Sequence, residues 1–183
     1  MTLPVVAPSR RRALASLLVG LASLGALSQT LAGPHEHGVA HLNIALEGSR
    51  LDISIKVPLE SLLGYERAPR TDAEKAAATA LLERFRQGQP VLALPQKAQC
   101  KPAGPAQVTA PLIEGQASAT TGHGDLQAQY RFDCAQANEL REIDVTLFDV
   151  AKGLSRVRAQ MIGPQGQSQS VLRRNKRQLK LIR

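Results

Sequence analysis

The sequence predicts an α+β fold in a single domain, a mainly antiparallel β-sheet with one main α-helix at about Asp72–Gln87. Three features predict it. Apolar residues recur at every second position in several separate stretches, the pattern of half-buried strands. Only one segment, rich in alanine and leucine, opens with helix-capping chemistry. Between Lys101 and Gly124 the chain is rich in Pro, Gly, Ala, Ser and Thr, which favours loop over regular structure.

The first 32 residues stand apart from the fold. Arg10, Arg11 and Arg12 form a basic cluster, an apolar run extends from Ala13 to about Leu27, and Thr30-Leu31-Ala32 closes the stretch. This is the layout of a secretory signal peptide. The run is short for a membrane span of ~20 apolar residues, so an uncleaved anchor is the weaker alternative. Ser9-Arg10-Arg11 also leaves twin-arginine export open, although Ala13 is small for that signal. Cleavage after Ala32 would leave residues 33–183 as one exported domain with enough chain for a core. Loss of the three leader arginines lowers the net charge from +8 to +5. From Val150 onward there are nine basic residues and no acidic one, whereas Gly33 to Asp149 is net negative. An acidic body with a basic tail bears on partners rather than on fold.

From Val39 the alternation begins. Ala40, Leu42, Ile44 and Leu46 share one face, with His41, Asn43 and Glu47 on the other. After Gly48-Ser49 the apolar face resumes with Leu51, Ile53, Ile55 and Val57, which predicts a β-hairpin. In that register Glu47 faces Arg50 and His41 faces Lys56. Pro58 ends the second strand, and VPLESLLGYERAP reads as an irregular connection. The helix opens at Thr71-Asp72-Ala73-Glu74, a capping box. Ala73, Ala76, Ala77, Ala80, Leu81, Leu82 and Phe85 supply helix formers and a core stripe; Gly88 and Pro90 stop the helix. Later strands are read at Leu126–Cys134, Ile143–Leu147, Val157–Met161 and Ser168–Leu172, with short apolar runs at Val91–Leu94 and Leu179–Ile182. Gln107–Ala110 carries only a weak strand signal.

Cys100 and Cys134 admit one intramolecular pairing, and an oxidising compartment favours the disulfide over a thiolate metal pair. The histidines carry more information. Three of the four in the chain, His35, His37 and His41, fall within seven residues. In an extended chain they share parity and would leave one face together, whereas Glu36 would need a local bend to join them. His-x-His offers two neutral imidazoles to a divalent transition metal at ~2.0–2.1 Å. His123, with Asp125 two residues on, opens the Leu126 strand, and folding would bring it beside the first three, with Asp125 or water completing the site. Zinc suits such a set of nitrogen and oxygen donors, while copper(II) and nickel(II) also bind it. An N-terminal copper clamp is argued against by Pro34, which lacks the amide N–H such a clamp must deprotonate. A mobile histidine end that binds nothing specific is the bland alternative, and Lys56 opposite His41 is a poor neighbour for a dication.

Catalysis finds little support. No Ser–His–acid or Cys–His arrangement has a local motif, and no glycine-rich phosphate loop is present. Glu60 and Glu66 read as solvated loop charges rather than a catalytic pair. The tail RRNKRQLKLIR has no aromatic residue, so stacking on nucleic acid is poorly supported. It reads as a solvated edge strand, with an acidic partner or anionic lipid surface as the alternative.

The blocks HEHGVAHLNIALEG and VPLESLLGYERAPRTDAEKAA, then AQC, His123 to Cys134 and Leu147-Phe148 resemble the ZrgA family of bacterial periplasmic zinc-uptake proteins. The resemblance covers nearly all of residues 33–183. It implies a zinc-binding, non-catalytic envelope protein that works beside an ABC-type zinc importer of the inner membrane. By position, His35, His37 and His41 match the family's N-terminal histidine block, and His123 the histidine before the Tyr-x-Phe-x-Cys strand. Two departures lower the expected stoichiometry. The histidine-rich insertion frequent before His123 is short here, and Gly64-Tyr65-Glu66-Arg67 has a cation where the family often carries histidine.

Overall fold

Two nine-residue strands set the frame of the protein. In the computed structural model, which describes residues 36–88, 91–116 and 124–181, the chain opens with β1 (Val39–Glu47), β2 (Arg50–Pro58), α1 (Leu59–Leu63) and α2 (Asp72–Arg86). It continues through β3 (Cys100–Pro102), β4 (Gln107–Thr109), β5 (Asp125–Cys134) and β6 (Glu142–Asp144). The last elements are α3 (Leu147–Val150), β7 (Arg156–Gly163), β8 (Gly166–Leu172) and β9 (Gln178–Lys180). The expected signal peptide, residues 1–32, lies outside the described residues.

The first hairpin has the register that its alternation predicts, with Glu47 opposite Arg50 and His41 opposite Lys56. Gly48 supplies the left-handed turn residue at φ +58°. The main sheet runs β3-β5-β2-β1-β7-β8, and β4 also pairs with β5. All its ladders are antiparallel except β1 with β7, which run parallel. Alternation reveals which side chains are buried but carries no strand direction, so this pair is not legible from sequence.

One face of the sheet is dry. Ala40, Leu42, Ile44, Leu51, Ile53, Ile55, Val57, Leu126, Ala128, Val157, Ala159 and Met161 are all at most 3 % exposed. Each large member of such a set stabilises the fold by roughly 1.5–3 kcal/mol relative to exposure. The helix α2 adds Ala78, Leu81, Leu82 and Phe85 to the same core. These four are spaced 3, 1 and 3 residues apart, one narrow helical stripe. The stripe is narrower than expected, since Ala73, Ala76, Ala77 and Ala80 face solvent and contribute helix propensity alone. The buried Tyr130 hydroxyl donates to the Phe85 carbonyl oxygen at 2.9 Å, tying helix to sheet.

The N-terminus of α2 is capped as predicted. Thr71 Oγ1 accepts from the Glu74 amide at 3.1 Å, and the Glu74 carboxylate accepts from the amides of Arg70 (2.7 Å) and Thr71 (3.4 Å). Arg67 donates both guanidinium ends to Glu74, at 2.8 and 2.9 Å. Arg67 first, and then the Arg70 amide, hold the Glu74 carboxyl down at about 2. Gly88 takes the left-handed conformation two residues past the helix, as its stop role predicts.

Other segments differ from expectation. The connection after β2 is not wholly irregular: Leu59–Leu63 forms the short helix α1, closed by Gly64 in the left-handed region. The strand expected over Ile143–Leu147 is only three residues long, although Ile143, Val145 and Leu147 are all buried. Its ladder is used up by β9 on one side and a single bridge from Ala93 on the other, and Leu147 then starts α3. Val91–Leu94 accordingly contributes one bridge instead of a strand. The basic tail forms the expected edge strand, β9 pairing only with β6 and exposing Gln178 and Lys180, but parts of it are engaged by the fold. Leu179 is 2 % exposed, Arg177 bridges Asp144 and Asp149 at 2.8 Å, and Arg174 donates to the Phe148 and Ala151 carbonyls closing α3.

Cys100 and Cys134 are directly opposed in the β3–β5 ladder and form a disulfide, so neither thiolate is available to a metal. The bond closes a loop of sequence separation 34. Replacing both cysteines by serine is expected to lower the unfolding free energy by about 3–4 kcal/mol on the chain-entropy model, read by urea titration. A loss below about 1 kcal/mol would show that the loop is held by its packing instead.

The cap yields a second expectation. Thr71→Ala should cost ~1 kcal/mol. The Glu74 carboxyl is depressed from 4.5 to about 2 in the folded chain, so its contribution is complete above pH 4.5 and fades as pH falls toward 2. The stability gap between wild type and Glu74→Gln, followed by thermal melts, should therefore close over that interval. A gap independent of pH would refute the assignment.

Candidate metal centre

The histidine segment enters the sheet through a turn, and the turn is held firmly. The Val39 amide donates to the Glu36 carbonyl at 3.1 Å, and β1 begins only at Val39. The Gly38 carbonyl accepts from the amides of Ser155 (2.8 Å) and Arg156 (3.1 Å) and from the Ser155 hydroxyl (2.9 Å). Gly38 sits at φ +71°, which favours glycine, and an added Cβ would crowd the Gly153 carbonyl oxygen at 3.1 Å. The Glu36 carboxylate is clasped by Arg156 and Arg158 of β7.

This turn overrides the parity expected from sequence. The alternation does not run back through His37: Val39 is 2 % exposed, although parity puts it on the wet face with His41. His37 instead contacts Glu60, in the first turn of α1, through its Nδ1. Both side chains are well exposed. A carboxylate can only accept, so Nδ1 donates in this contact, and it is Nε2 that the geometry leaves turned from Glu60 for a ligand. Glu36, which needs a bend before it can reach the histidines, does bend, but onto the arginines of β7.

His41 lies on the open face with Lys56 opposite it on β2 and Arg158 opposite it on β7. Partial burial first, then Arg158, then Lys56 lower its pKa below 6.5; Asp125 and Glu36 act in the opposite sense and are outweighed. The ring is therefore neutral near pH 7, the state a metal requires. Each flanking cation has a carboxylate of its own. Lys56 pairs with Asp125 at 2.9 Å, and Arg158 with Glu36. The sequence places Asp125 beside His123 at a metal; in the structure its side chain is 9 % exposed and turned to Lys56.

The start of β5 meets the same end of the sheet. Asp125 is opposite Pro58, and the Leu59 amide donates to the Gly124 carbonyl at 2.8 Å. The Gly124 amide donates to Glu66 at 3.0 Å. A Cβ on Gly124 would fall 2.2 Å from Leu112 Cδ1 and 2.9 Å from Leu59 Cδ1, so a larger residue at this junction would have to displace both leucine side chains. His35 and His123, two of the expected ligands, lie outside the described residues. Among the described residues no group of three or more His, Cys, Asp or Glu stands close enough to hold a metal ion. His37, His41 and Asp125 thus share one end of the sheet without forming a triad.

The glutamates are what sequence reasoning undervalues. Glu60 and Glu66 read as solvated charges because the chain from Val57 to Pro69 shows no helical or strand period. Recognition of α1 would have placed Glu60 in a first turn facing the histidine segment. Arg67, the cation in place of histidine, is occupied structurally, stacking 4.5 Å from the Tyr65 ring centroid and gripping Glu74. A hollow of about 780 Å³ on the open face, over Asn43, Ser54, Gln129 and Gln160, is lined by no histidine.

Among the described residues no helix is long and apolar enough to cross a membrane. A comparison with individually characterised proteins gives no significant match. The family model described as "ZrgA family zinc uptake protein" matches residues 34–181, from just before the histidine turn to the end of the described chain. The match spans the histidine turn, both halves of the first hairpin, the capped helix and the disulfide, and the chain belongs to the ZrgA family of zinc uptake proteins.

Proposed function

We propose that this zinc uptake protein captures zinc in the periplasm through His37 and His41, joined by His35 and His123, and passes it to an ABC-type importer in the inner membrane. The observation that carries this reading is the contact between His37 Nδ1 and Glu60. A carboxylate on one ring nitrogen fixes the tautomer and raises the basicity of the other, the usual arrangement behind a metal-binding imidazole. The neutral state of His41 supports the same reading. So does the position of Gly124, covalently next to His123, against the first residue of α1. Asp125 serves in this scheme as the partner that neutralises Lys56 beside His41, with direct ligation as its alternative role. The donors named are nitrogens and carboxylate oxygens, which suit zinc. The protein acts as a carrier and not as a catalyst in this reading, and the export signal at residues 1–32 would deliver it to the compartment where the cystine is stable.

The adaptor reading, in which the basic tail docks an acidic membrane partner, has lost two of its cations. Arg174 and Arg177 are committed to α3 and to Asp144 and Asp149. Deletion of the tail would therefore disturb the fold itself, so charge reversal at exposed Arg173 and Lys176 is the cleaner probe of a partner.

Calorimetric zinc titration tests the proposal. Wild type should bind zinc, and His37→Ala and His41→Ala should each weaken it. Glu60→Gln, which removes the charge behind His37, should weaken binding by about 10–100-fold with the fold intact. Failure of the wild-type protein to take up zinc, or full affinity in Glu60→Gln, would end this assignment. The pH dependence has a definite sign. Because the His41 pKa is lowered from 6.5 in the folded chain, its neutral form persists below 6.5, and its contribution to both zinc binding and stability is complete above that pH and declines as pH falls through the lowered value. Replacing the flanking cation, in Arg158→Gln, should move that decline to higher pH.

A further inference from the structure

The two edges of the main sheet are built differently. Along the outer side of β5 the edge is broken into β3 and β4, three residues each, with Lys101 and Pro102 in the first and Pro105 between them. Proline has no N–H to offer and lysine resists burial, so this edge discourages an added strand. The other edge is β8, the seven residues GQSQSVL, with neither proline nor charge. Its ladder with β7 runs without a bulge from Val157–Leu172 to Gly163–Gly166. Among the described residues no strand covers its outer side, because β9 turns away to pair with β6.

We propose that β8 is the contact through which two copies of this chain associate, the two strands pairing antiparallel about a two-fold axis at Gln169. The sequence of β8 is self-complementary in that register. Gln169 meets its own copy, Ser168 meets Ser170, Gln167 meets Val171, and Gly166 meets Leu172. Beyond the strand, Arg173 meets Gln165, so no cation opposes a cation. Val171, 56 % exposed on the open face, gains cover from the stem of the partner's Gln167.

A second feature of the sheet leads to the same residue. The ladders align Gln107 with Gln129, Gln129 with Ser54, Ser54 with Asn43, Asn43 with Gln160, and Gln160 with Gln169. This transverse row of uncharged amides and one hydroxyl crosses the open face and ends at the bare edge. At a two-fold axis it would continue into the same row of the second copy, amide against amide. Side-chain amides carry donor and acceptor together and therefore match themselves. A single strand pair buries less than about 1,200 Å², so the dimer is a weak one. The inference does not depend on the zinc reading.

Sedimentation of the purified protein from about 10 μM to 1 mM covers the range expected of such an interface. Wild type should shift from monomer to dimer across it. Gln169→Lys and Gln169→Glu each place like charges face to face and should raise the dimer dissociation constant about fivefold or more, with unchanged thermal melts since Gln169 is exposed. Mixing the two variants should restore association, because the lysine of one then meets the glutamate of the other. A wild type that stays monomeric throughout, a dimer indifferent to both variants, or two weakened variants that do not rescue each other would each overturn the proposal.

Discussion

The central position of β1 is the constraint from which the rest of the molecule follows. It is paired along its length on both sides, antiparallel to β2 and parallel to β7. A strand held this way has no freedom to slip, because a one-residue shift would turn Leu42 and Ile44 out of the core and His41 into it. The same pairing delivers the Gly38 carbonyl to Ser155 and Arg156, which fixes where the histidine turn leaves the sheet. Core, turn and histidine geometry are thus three results of one register.

The electrostatics at this end of the sheet are arranged in opposed pairs. Lys56 and Arg158 flank His41, and each is answered by a carboxylate from elsewhere in the chain, Asp125 or Glu36. Partial burial first, and then the two cations, favour the unprotonated imidazole, while the carboxylates limit the positive potential that an incoming dication would meet. The Arg158–Glu36 pair is exposed on both sides, and pairs of that kind typically contribute about 0–1 kcal/mol to stability. Their effect is on the protonation state and local field around His41.

Much of the fold is legible in the sequence. The first hairpin, its register, the capping box and the helix stop are all carried by short-range chemistry that a chain displays openly. The parallel pairing of β7 with β1 is not, because burial alternation is the same for either strand direction. The short helix after Pro58 is masked by its length, five residues, which is too brief to show a helical period. That omission spreads to the site: with Leu59–Leu63 read as loop, Glu60 has no orientation and its contact with His37 cannot be foreseen. Parity fails at His37 for a related reason, since Gly38 reverses the chain before the strand begins. Asp125 is correctly placed at the head of its strand, yet its link to Lys56 depends on a pairing 69 residues apart in sequence (125 − 56).

The Tyr130 hydroxyl, held on the Phe85 carbonyl between helix and sheet, makes the protein its own optical gauge. The chain has no tryptophan and only two tyrosines, so its intrinsic emission divides between Tyr130 in the core and Tyr65 beside Glu66 and Arg67. One chromophore watches the separation of helix from sheet, and the other watches the loop that touches Gly124. Unfolding and events near the histidine turn therefore both register in the tyrosine signal without any attached dye.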